Sequence, residues 1–422
     1  MRKIVVSAIV GCLILATLHF QPVKAADCYV PSAGYATIGA AVADNNCTTI
    51  YVAAGTYNEN MSISRDLTLI GAGASTTTID GVSGNVIEVH DATVNISGFT
   101  ITGGEEGLHY DEDAFGTIEN NVITGNSSDG ISVDDYSDPT IKNNTISENG
   151  ASGIGVDDGS DPTIRSNTIQ NNDGDGIECD EGSDATIEAN IITGNEVGIW
   201  VDDESDPDII NNYIFSNESD GIECEDYSFP VIYFNTIVGN GEEGIDLWDS
   251  EPDIIDNIIA SNGGDGIYYE MEGAFAPLLA TNETHHEEDD DNDFKMQQET
   301  ISRVAKDGYG IAYNDVWGSG DENYDGDLSD QTGFNGNISV NPMLDGYYPI
   351  CGSPVMDAGT DVDVYEDIEG NVRPLGAGFD MGCYEGCMIK QIKHPQLPSL
   401  LPMTQNHISD VDGLLKQTDD LL

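Results

Sequence analysis

Residues 144–156 read N-T-I-S-E-N-G-A-S-G-I-G-V, and residues 167–179 read N-T-I-Q-N-N-D-G-D-G-I-E-C. Both contain an N-x-I triplet, an asparagine three residues after its isoleucine, and a Gly-Ile pair. The triplet isoleucines, 22 or 23 residues apart, are Ile123, Ile146, Ile169, Ile192, Ile214, Ile237 and Ile259. The unit is too short for a helix–turn–helix repeat, its apolar residues alternate, and its breaks are Gly, Asn, Asp and Pro, which indicates short strands and turns.

One such unit cannot bury its own apolar face, so neighbouring units must stack. The sequence therefore predicts an all-β right-handed parallel β-helix, a solenoid with 22–23-residue coils and an N-terminal capping helix. Parallel strands of neighbouring coils would lie about 4.8 Å apart. We expect the asparagine column to form side-chain hydrogen bonds from coil to coil. The glycine before each isoleucine is expected to adopt a positive φ.

The outward positions of the coils are acidic. In the G-I-x-V-a segment the isoleucine and valine point inward, so x and a share the outer face. The chain has 77 Asp and Glu against 13 Lys and Arg, a formal net charge of −64. This charge excludes nucleic acid and anionic membrane surfaces as partners, because both need a basic surface.

Repeated carboxylates predict a bound cation. Like charges about 5 Å apart repel one another, and bound cations, high salt or raised pKa values would offset this. Ca²⁺ suits clustered carboxylates because it takes six to eight oxygen ligands. The alternative is a solvated acidic face. A second acidic column is formed by Asp138, Asp161, Asp184, Asp206 and Glu251.

A separate segment has the D-x-N-x-D-G order of a calcium loop. Its candidate ligands are Asp321, Asn323, Asp325, Asp327 and Asp330. An Asn/Asp/Gly-rich turn is the alternative interpretation.

The same outer face could act on a polysaccharide. Aromatic side chains stack on sugar rings, and the candidates are Trp200, Trp248 and Tyr268. Carboxylates one or two coils apart bracket the separations that glycosidases use. The catalytic candidates are Glu178, Asp180, Asp202, Glu223, Glu225 and Asp246.

A polyuronate lyase or epimerase is less favoured, because it needs a basic or phenolic proton acceptor. The regular coils offer Lys142 and Arg165, with His109 just before them. Lys142, Arg165 and Glu188 follow one strand position, which a structural charge ladder explains.

The ends of the chain carry export and cysteine signals. Residues 1–25 have the basic, apolar and small-residue regions of a secretory signal peptide. We expect a disulfide between Cys28 and Cys47, whereas Cys351 has both Cys383 and Cys387 as candidate partners.

Several runs resemble a known family. T-I-Y-V-A-A-G-T-Y-N-E (49–59), L-T-L-I-G-A-G (67–73) and the coils are similar to secreted right-handed parallel β-helix proteins of the pectin-lyase-like fold. C-G-S-P-V-M-D-A-G (351–359), I-E-G-N-V-R-P (368–374) and D-M-G-C-Y-E (380–385) resemble the region after the helix in choice-of-anchor Q surface proteins. The superfamily contains lyases, hydrolases, epimerases and non-catalytic surface proteins, so the resemblance implies the fold rather than the activity.

The expected organisation follows. It comprises a signal peptide (1–25), an N-terminal cap (26–49), the β-helix (50–272), an acidic inserted loop (273–306), the last coils with the choice-of-anchor-like region (307–386) and a tail (387–422). The expected function is that of a secreted, cell-surface or periplasmic acidic protein. It would bind Ca²⁺ and play a structural or carbohydrate-binding role, with a polysaccharide hydrolase, lyase or epimerase as the alternative.

Overall fold

The computed structural model describes residues 26–271 and 310–388. They form a parallel β-helix whose coils contribute one strand to each of three sheets, which contain 12, 11 and 11 strands. The fold class predicted from the repeat is confirmed. The signal peptide, the whole inserted loop (273–306) and residues 389–422 lie outside the described residues.

The first sheet contains β1 (Ala26–Val30), β2 (Cys47–Val52), β5 (Leu67–Gly71), β8 (Val94–Ser97), β11 (Phe115–Glu119), β14 (Asp138–Lys142), β17 (Thr163–Arg165), β20 (Thr186–Glu188), β23 (Asp208–Ile210), β26 (Val231–Tyr233), β29 (Asp253–Ile255) and β32 (Ile311–Ala312). The second contains β3 (Gly55–Asn58), β6 (Thr77–Asp80), β9 (Thr100–Thr102), β12 (Val122–Thr124), β15 (Thr145–Ser147), β18 (Thr168–Gln170), β21 (Ile191–Thr193), β24 (Tyr213–Phe215), β27 (Thr236–Val238), β30 (Ile258–Ala260) and β33 (Asp315–Trp317). The third contains β4 (Met61–Ile63), β7 (Ile87–His90), β10 (Leu108–Asp111), β13 (Ile131–Val133), β16 (Ile154–Val156), β19 (Ile177–Cys179), β22 (Ile199–Val201), β25 (Ile222–Cys224), β28 (Ile245–Trp248), β31 (Ile267–Glu270) and β34 (Tyr324–Gly326). A short antiparallel pair, β35 (Leu344–Asp345) and β36 (Tyr348–Pro349), lies outside the coils.

The core is a set of inward columns with one residue from each coil. The isoleucines of the Gly-Ile pairs pair in register and are fully buried: Ile131, Ile154, Ile177, Ile199, Ile222, Ile245 and Ile267. Cys179 and Cys224 share the neighbouring column and are buried free thiols. Because every coil presents apolar side chains inward at equivalent positions, the stack buries the face that a single coil would expose.

Asparagine ladders connect equivalent turns of neighbouring coils. In one ladder, Asn167 donates from Nδ2 to Asn190 Oδ1 at 3.1 Å, and Asn190 donates to Asn212 at 3.1 Å. Each Oδ1 also accepts a backbone N–H, as Asn190 does from Asn167 at 2.9 Å. A second ladder of the same kind links Asn126, Asn149, Asn172, Asn195, Asn217, Asn240 and Asn262. The predicted hydrogen bonding from coil to coil is confirmed.

The reason for the repeated glycine differs from the prediction. Gly153 is not among the residues with positive φ. A Cβ at Gly153 would instead lie 2.6 Å from Ile169 Cγ2 and 2.7 Å from the carbonyl oxygen of Gly176 on the next coil. Glycine is therefore required by close packing between coils, while Asn143 (φ 55°) and Asn171 (φ 55°) are among the left-handed turn residues.

A short helix, α1 (Ile38–Val42), lies at the N-terminal end of the described solenoid. The Thr37 side chain caps it by accepting from Ala40 N at 3.2 Å, and Glu59 accepts from Ile38 N at 2.9 Å. Cys28 is bonded to Cys47, with their Cα atoms 5.5 Å apart. β1 is already a strand of the first sheet, so the solenoid begins inside the segment assigned to the cap.

The C-terminal region packs beside the coils. Cys383 N donates to Thr236 Oγ1 at 3.1 Å, and the rings of Tyr347 and Tyr213 are 5.2 Å apart. Of the two candidate partners, Cys387 is the one bonded to Cys351. That bond joins residue 387 to the body of the protein. Among the described residues, no helix is both long enough and apolar enough to cross a bilayer.

Candidate functional site

The outer face of the third sheet is called the acidic face below. One row of outward residues runs in register along it: His109, Ser132, Gly155, Glu178, Trp200, Glu223, Asp246, Tyr268 and Asp325. The row exists because these outward positions alternate with the inward-facing residues of each strand.

A second row lies two residues further along each coil. Its members in the middle of the face are Asp134, Asp157, Asp180, Asp202, Glu225, Trp248 and Glu270. Backbone hydrogen bonds between neighbouring coils keep the residues of this row aligned. Asp202 N donates to Cys179 O at 3.0 Å, and Glu225 N donates to Val201 O at 2.8 Å. The structure therefore places all six catalytic candidates and all three aromatic candidates on one face.

The aromatic candidates contact carboxylates on this face. Trp200 Nε1 donates to Glu225 Oε2 at 3.3 Å, and Trp248 Nε1 donates to Asp246 Oδ2 at 3.0 Å. The rings of Trp248 and Tyr268 are 5.9 Å apart. Together with Glu223, these residues are called the platform below: Trp200, Glu223, Glu225, Asp246, Trp248 and Tyr268. It combines apolar rings with hydrogen-bond acceptors on half-buried side chains.

Several carboxyl groups on the acidic face bind protons more tightly than usual. Desolvation raises the pKa of Glu223 to about 8, and the nearby Asp220 carboxylate raises it further. Desolvation also raises the pKa of Asp246 to about 6 and that of Asp157 to about 7. Protonation removes part of the charge repulsion that the sequence predicts along the face.

Three groups of side chains could hold a metal ion, since their ligand atoms lie within 4.8 Å of one another. They are Asp220, Glu243 and Asp246; Asp202, Asp203 and Asp226; and His90, Asp111 and Glu112. The first group lies beside the platform. Oδ1 of Asp246 is buried and has no hydrogen-bond partner among the described residues.

The candidate calcium loop is not gathered into one site. Tyr324–Gly326 forms strand β34, which carries Asp325 beside Tyr268 in the outer row. Asn323 donates to Ser339 Oγ at 2.8 Å, and Asp330 accepts from Thr332 N at 2.8 Å. Asp327 Oδ2 accepts from Met271 N at 3.4 Å, and Asp321 is exposed. Within the described ranges, the acidic members of this segment belong to no metal-ligating group of three.

The second acidic column has a structural use. Asp138 accepts from the backbone N–H of Asp161 at 2.9 Å, and Asp161 accepts from Asp184 at 2.9 Å. The backbone N–H of Asp206 continues the pattern by donating to Asp184 Oδ1 at 2.9 Å. These hydrogen bonds to the charged form help offset repulsion. Lys142 pairs with Glu119 at 3.1 Å and lies in register with Arg165, so the predicted charge ladder is present.

Sequence reasoning missed a histidine cluster at the N-terminal end of the face. The sequence predicts for His109 only a role as a candidate proton acceptor, and it makes no prediction for His90. His109 Nε2 lies 2.8 Å from Asp134 Oδ2, and its Nδ1 lies 3.1 Å from Glu106 Oε2. These contacts, with Asp134 first, raise the pKa of His109 to about 10. The chain does carry a signal for this cluster, because His90 and Asp111 end successive strands of the early coils and therefore lie side by side.

Comparison with known proteins identifies the family. Residues 71–214 and 197–287 match the family described as the right handed beta helix region, and the chain belongs to it. No curated protein matches the chain.

Solved structures share the fold at low identity. The A-module of the mannuronan C-5 epimerase AlgE4 from Azotobacter vinelandii is 18% identical, with a TM-score of 0.42 over 53% of this chain and 72% of that one. An alginate lyase from Paenibacillus sp. str. FPU-7 is 17% identical, with a TM-score of 0.44 over 58% of this chain and 93% of that one. The catalytic unit of a GH87 α-1,3-glucanase from Streptomyces thermodiastaticus is 15% identical, with a TM-score of 0.35 over 53% and 57%. These similarities describe the fold and do not assign an activity.

Proposed function

We propose that the protein binds a polysaccharide on the acidic face, with the platform as the contact surface. The observation that carries the proposal is the placement of Trp200, Trp248 and Tyr268 on one sheet face, around Glu223 and Asp246. Indole and phenol rings offer large apolar area for sugar rings. A carboxyl group accepts hydrogen bonds in either protonation state and also donates one when protonated, which suits sugar hydroxyl groups.

The charge of the protein selects the class of glycan. A net charge of −64 repels polyuronates and sulfated glycans, so the proposed ligand is a neutral polysaccharide. An acidic glycan would need a bridging cation. A long, regular face also suits a linear polymer, because successive coils present outward side chains about every 4.8 Å.

The cation proposed for this face is Ca²⁺, held by Asp220, Glu243 and Asp246. Support comes from their ligand atoms lying within 4.8 Å and from the unpartnered, buried Oδ1 of Asp246. Oxygen ligands of this kind suit a hard cation. Millimolar Ca²⁺ should raise the melting temperature by mass action, more than NaCl at equal ionic strength does. Asp220→Asn should remove that difference, and equal effects of Ca²⁺ and matched NaCl would refute specific binding.

Glycan binding is tested with a panel of soluble neutral and acidic polysaccharides. At least one neutral glycan included in the gel should retard the wild-type protein in affinity electrophoresis. The triple variant Trp200→Ala, Trp248→Ala, Tyr268→Ala should lose this binding, whereas Phe334→Ala should keep it. Phe334 is a suitable control because its side chain is exposed in the C-terminal region. Retention of binding by the triple variant would overturn the proposal.

Hydrolysis of the bound glycan is the second candidate function. Glu223 and Asp246 occupy one row on successive coils, so their backbones lie about 4.8 Å apart. This spacing is close to the roughly 5–5.5 Å between the two carboxyl groups of retaining glycosidases. The same panel tests this candidate by assaying released reducing ends. Wild-type release that disappears in Glu223→Gln would establish hydrolysis. Binding without release would leave the protein a binder.

The proposed location is outside the cytoplasm, in the extracellular space, at the cell surface or in the periplasm. Two disulfides, Cys28–Cys47 and Cys351–Cys387, support it, because such bonds persist in oxidising compartments. Mass mapping of non-reduced peptides from native material tests this, and free thiols at all four positions would contradict it.

A further inference from the structure

We propose that His90, Asp111 and Glu112 bind a first-row transition-metal ion such as Zn²⁺ or Mn²⁺, at a site distinct from the platform. The proposal goes beyond glycan binding and does not depend on it. The site lies on β7 and β10, whereas the platform begins at β22, four coils further along the solenoid.

The fold brings the three side chains together. His90 and Asp111 are the last residues of β7 and β10 and are partners in the parallel register. His90 Nδ1 contacts Asp111 Oδ1 directly. Glu112 follows in a left-handed turn, with φ 54°, and contributes the third ligand atom. All three ligand atoms lie within 4.8 Å of one another, and Glu112 is exposed, so an ion can enter from solvent.

The donor set distinguishes this site from the other two groups. Asp220, Glu243 and Asp246 offer only oxygen, as do Asp202, Asp203 and Asp226. An imidazole nitrogen shifts preference away from Ca²⁺ and towards metals that bind nitrogen, such as Zn²⁺. Imidazole nitrogen and carboxylate oxygen are both ligand types that Zn²⁺ accepts, and water would take the remaining position of a four-coordinate site.

His90 and Asp111 each have a further charged neighbour on the atom that does not face the proposed metal ion. The second ring nitrogen of His90, Nε2, lies 3.7 Å from Glu88 Oε2. The second oxygen of Asp111, Oδ2, lies 3.8 Å from His109 Nε2. At these distances both contacts are electrostatic attractions rather than hydrogen bonds, and they favour the present orientation of His90 and Asp111.

The network behind Asp111 is rich in carboxylates. His109 Nε2 lies 2.8 Å from Asp134 Oδ2, and its Nδ1 lies 3.1 Å from Glu106 Oε2. Both ring nitrogens of His109 therefore pair with carboxylates other than Asp111. The acidic side chains that remain around His90, namely Glu88, Asp111 and Glu112, favour a bound cation. The two all-oxygen groups have no histidine, so they serve as internal controls.

The test uses the full chain with five histidines replaced by glutamine, namely His19, His285, His286, His394 and His407. This leaves His90 and His109 as the only histidines. Binding of Co²⁺ is followed by its visible absorption, and binding of Zn²⁺ by calorimetry. Each metal should occupy one site that includes a nitrogen ligand. His90→Gln should lower the affinity at least tenfold, and His109→Gln should lower it by less, because His109 acts through Asp111. Asp202→Asn, in an all-oxygen group, should leave the affinity unchanged.

Two outcomes would overturn the proposal. One is wild-type affinity in His90→Gln, and the other is loss of the site in Asp202→Asn. If His90→Gln does not fold, X-ray absorption of the zinc-loaded parent decides the matter. One imidazole among oxygen ligands supports the site, and an all-oxygen shell rules it out.

Discussion

Arg373 donates from Nη2 to Asn211 Oδ1 at 3.0 Å, across a separation of 162 residues. The guanidinium is almost completely buried and lies 4.1 Å above the ring of Phe234. It also donates to the carbonyl oxygen of Gly382 at 2.7 Å and pairs with Glu385 at 3.1 Å. The Arg373 side chain thus connects the C-terminal region to the turns that lead from the first sheet to the second.

Arg373→Ala should release the C-terminal region. The change leaves the buried Glu385 carboxylate without its partner, and breaking a buried ion pair in this way costs about 3–5 kcal/mol. Limited proteolysis should cut between residues 344 and 388 in the variant at concentrations that spare the wild type. Arg165→Ala, at an exposed position, is the matched control. Unchanged cleavage in Arg373→Ala would show that this contact is dispensable.

Asn190→Ala should destabilise the coils more than a typical surface change. Asn190 Oδ1 accepts from Asn167, and its Nδ2 donates to Ile164 O at 2.8 Å and to Asn212. Removing it leaves buried partners unsatisfied, at about 1–3 kcal/mol for each. Urea unfolding should show a total loss of roughly 2–4 kcal/mol. Thr168→Ala, half-buried on the outer face of the second sheet, should show less than about 1 kcal/mol.

Stability should fall as pH rises, in part because of Asp315. Its side chain is fully buried, its Oδ2 has no hydrogen-bond partner among the described residues, and desolvation raises its pKa to about 7. The folded state therefore holds this proton more tightly than the unfolded state between pH 3.8 and about 7. Its contribution is complete below that window and is lost as pH rises through the folded pKa.

Asp315→Asn tests this directly. Between about pH 4 and 7, the variant's free energy of unfolding should fall less steeply than that of the wild type, by about 1.4 kcal/mol per pH unit. Asp315→Ala should flatten the profile in the same way, but it should be less stable throughout because it loses the hydrogen bond from Val340 N, which is 3.0 Å long. A slope identical to the wild type in Asp315→Asn would contradict the assignment.

The repeat predicted the coils because its signal is a short-range period. The buried isoleucine columns and the asparagine ladders follow from positions 22 or 23 residues apart. The docking of the C-terminal region could not be predicted in the same way, because Arg373 and Asn211 share no period. A weaker signal existed in the second sheet, where outward Thr168 and Gln170 give way to Tyr213 and Phe215.

The candidate sites were predicted unevenly for a related reason. Trp200, Glu223 and Asp246 lie in regular coils, so their common face could be read from the repeat. His90 lies in an early coil of irregular length, where register depends on the folded backbone. Asp325 is the reverse case, because its local motif predicts a loop whereas Tyr324–Gly326 forms a strand that continues the third sheet. Calcium binding by this segment stays a prediction.

Tryptophan fluorescence tests the central claim most directly. The chain has three tryptophans, and Trp317→Phe leaves only Trp200 and Trp248, both on the platform. Titrating this variant with the neutral glycan selected from the panel should give a saturable blue shift, because sugar rings would displace water from the indoles. A glycan that binds Trp317→Phe by calorimetry without changing its emission would contradict the account, since it would occupy another surface.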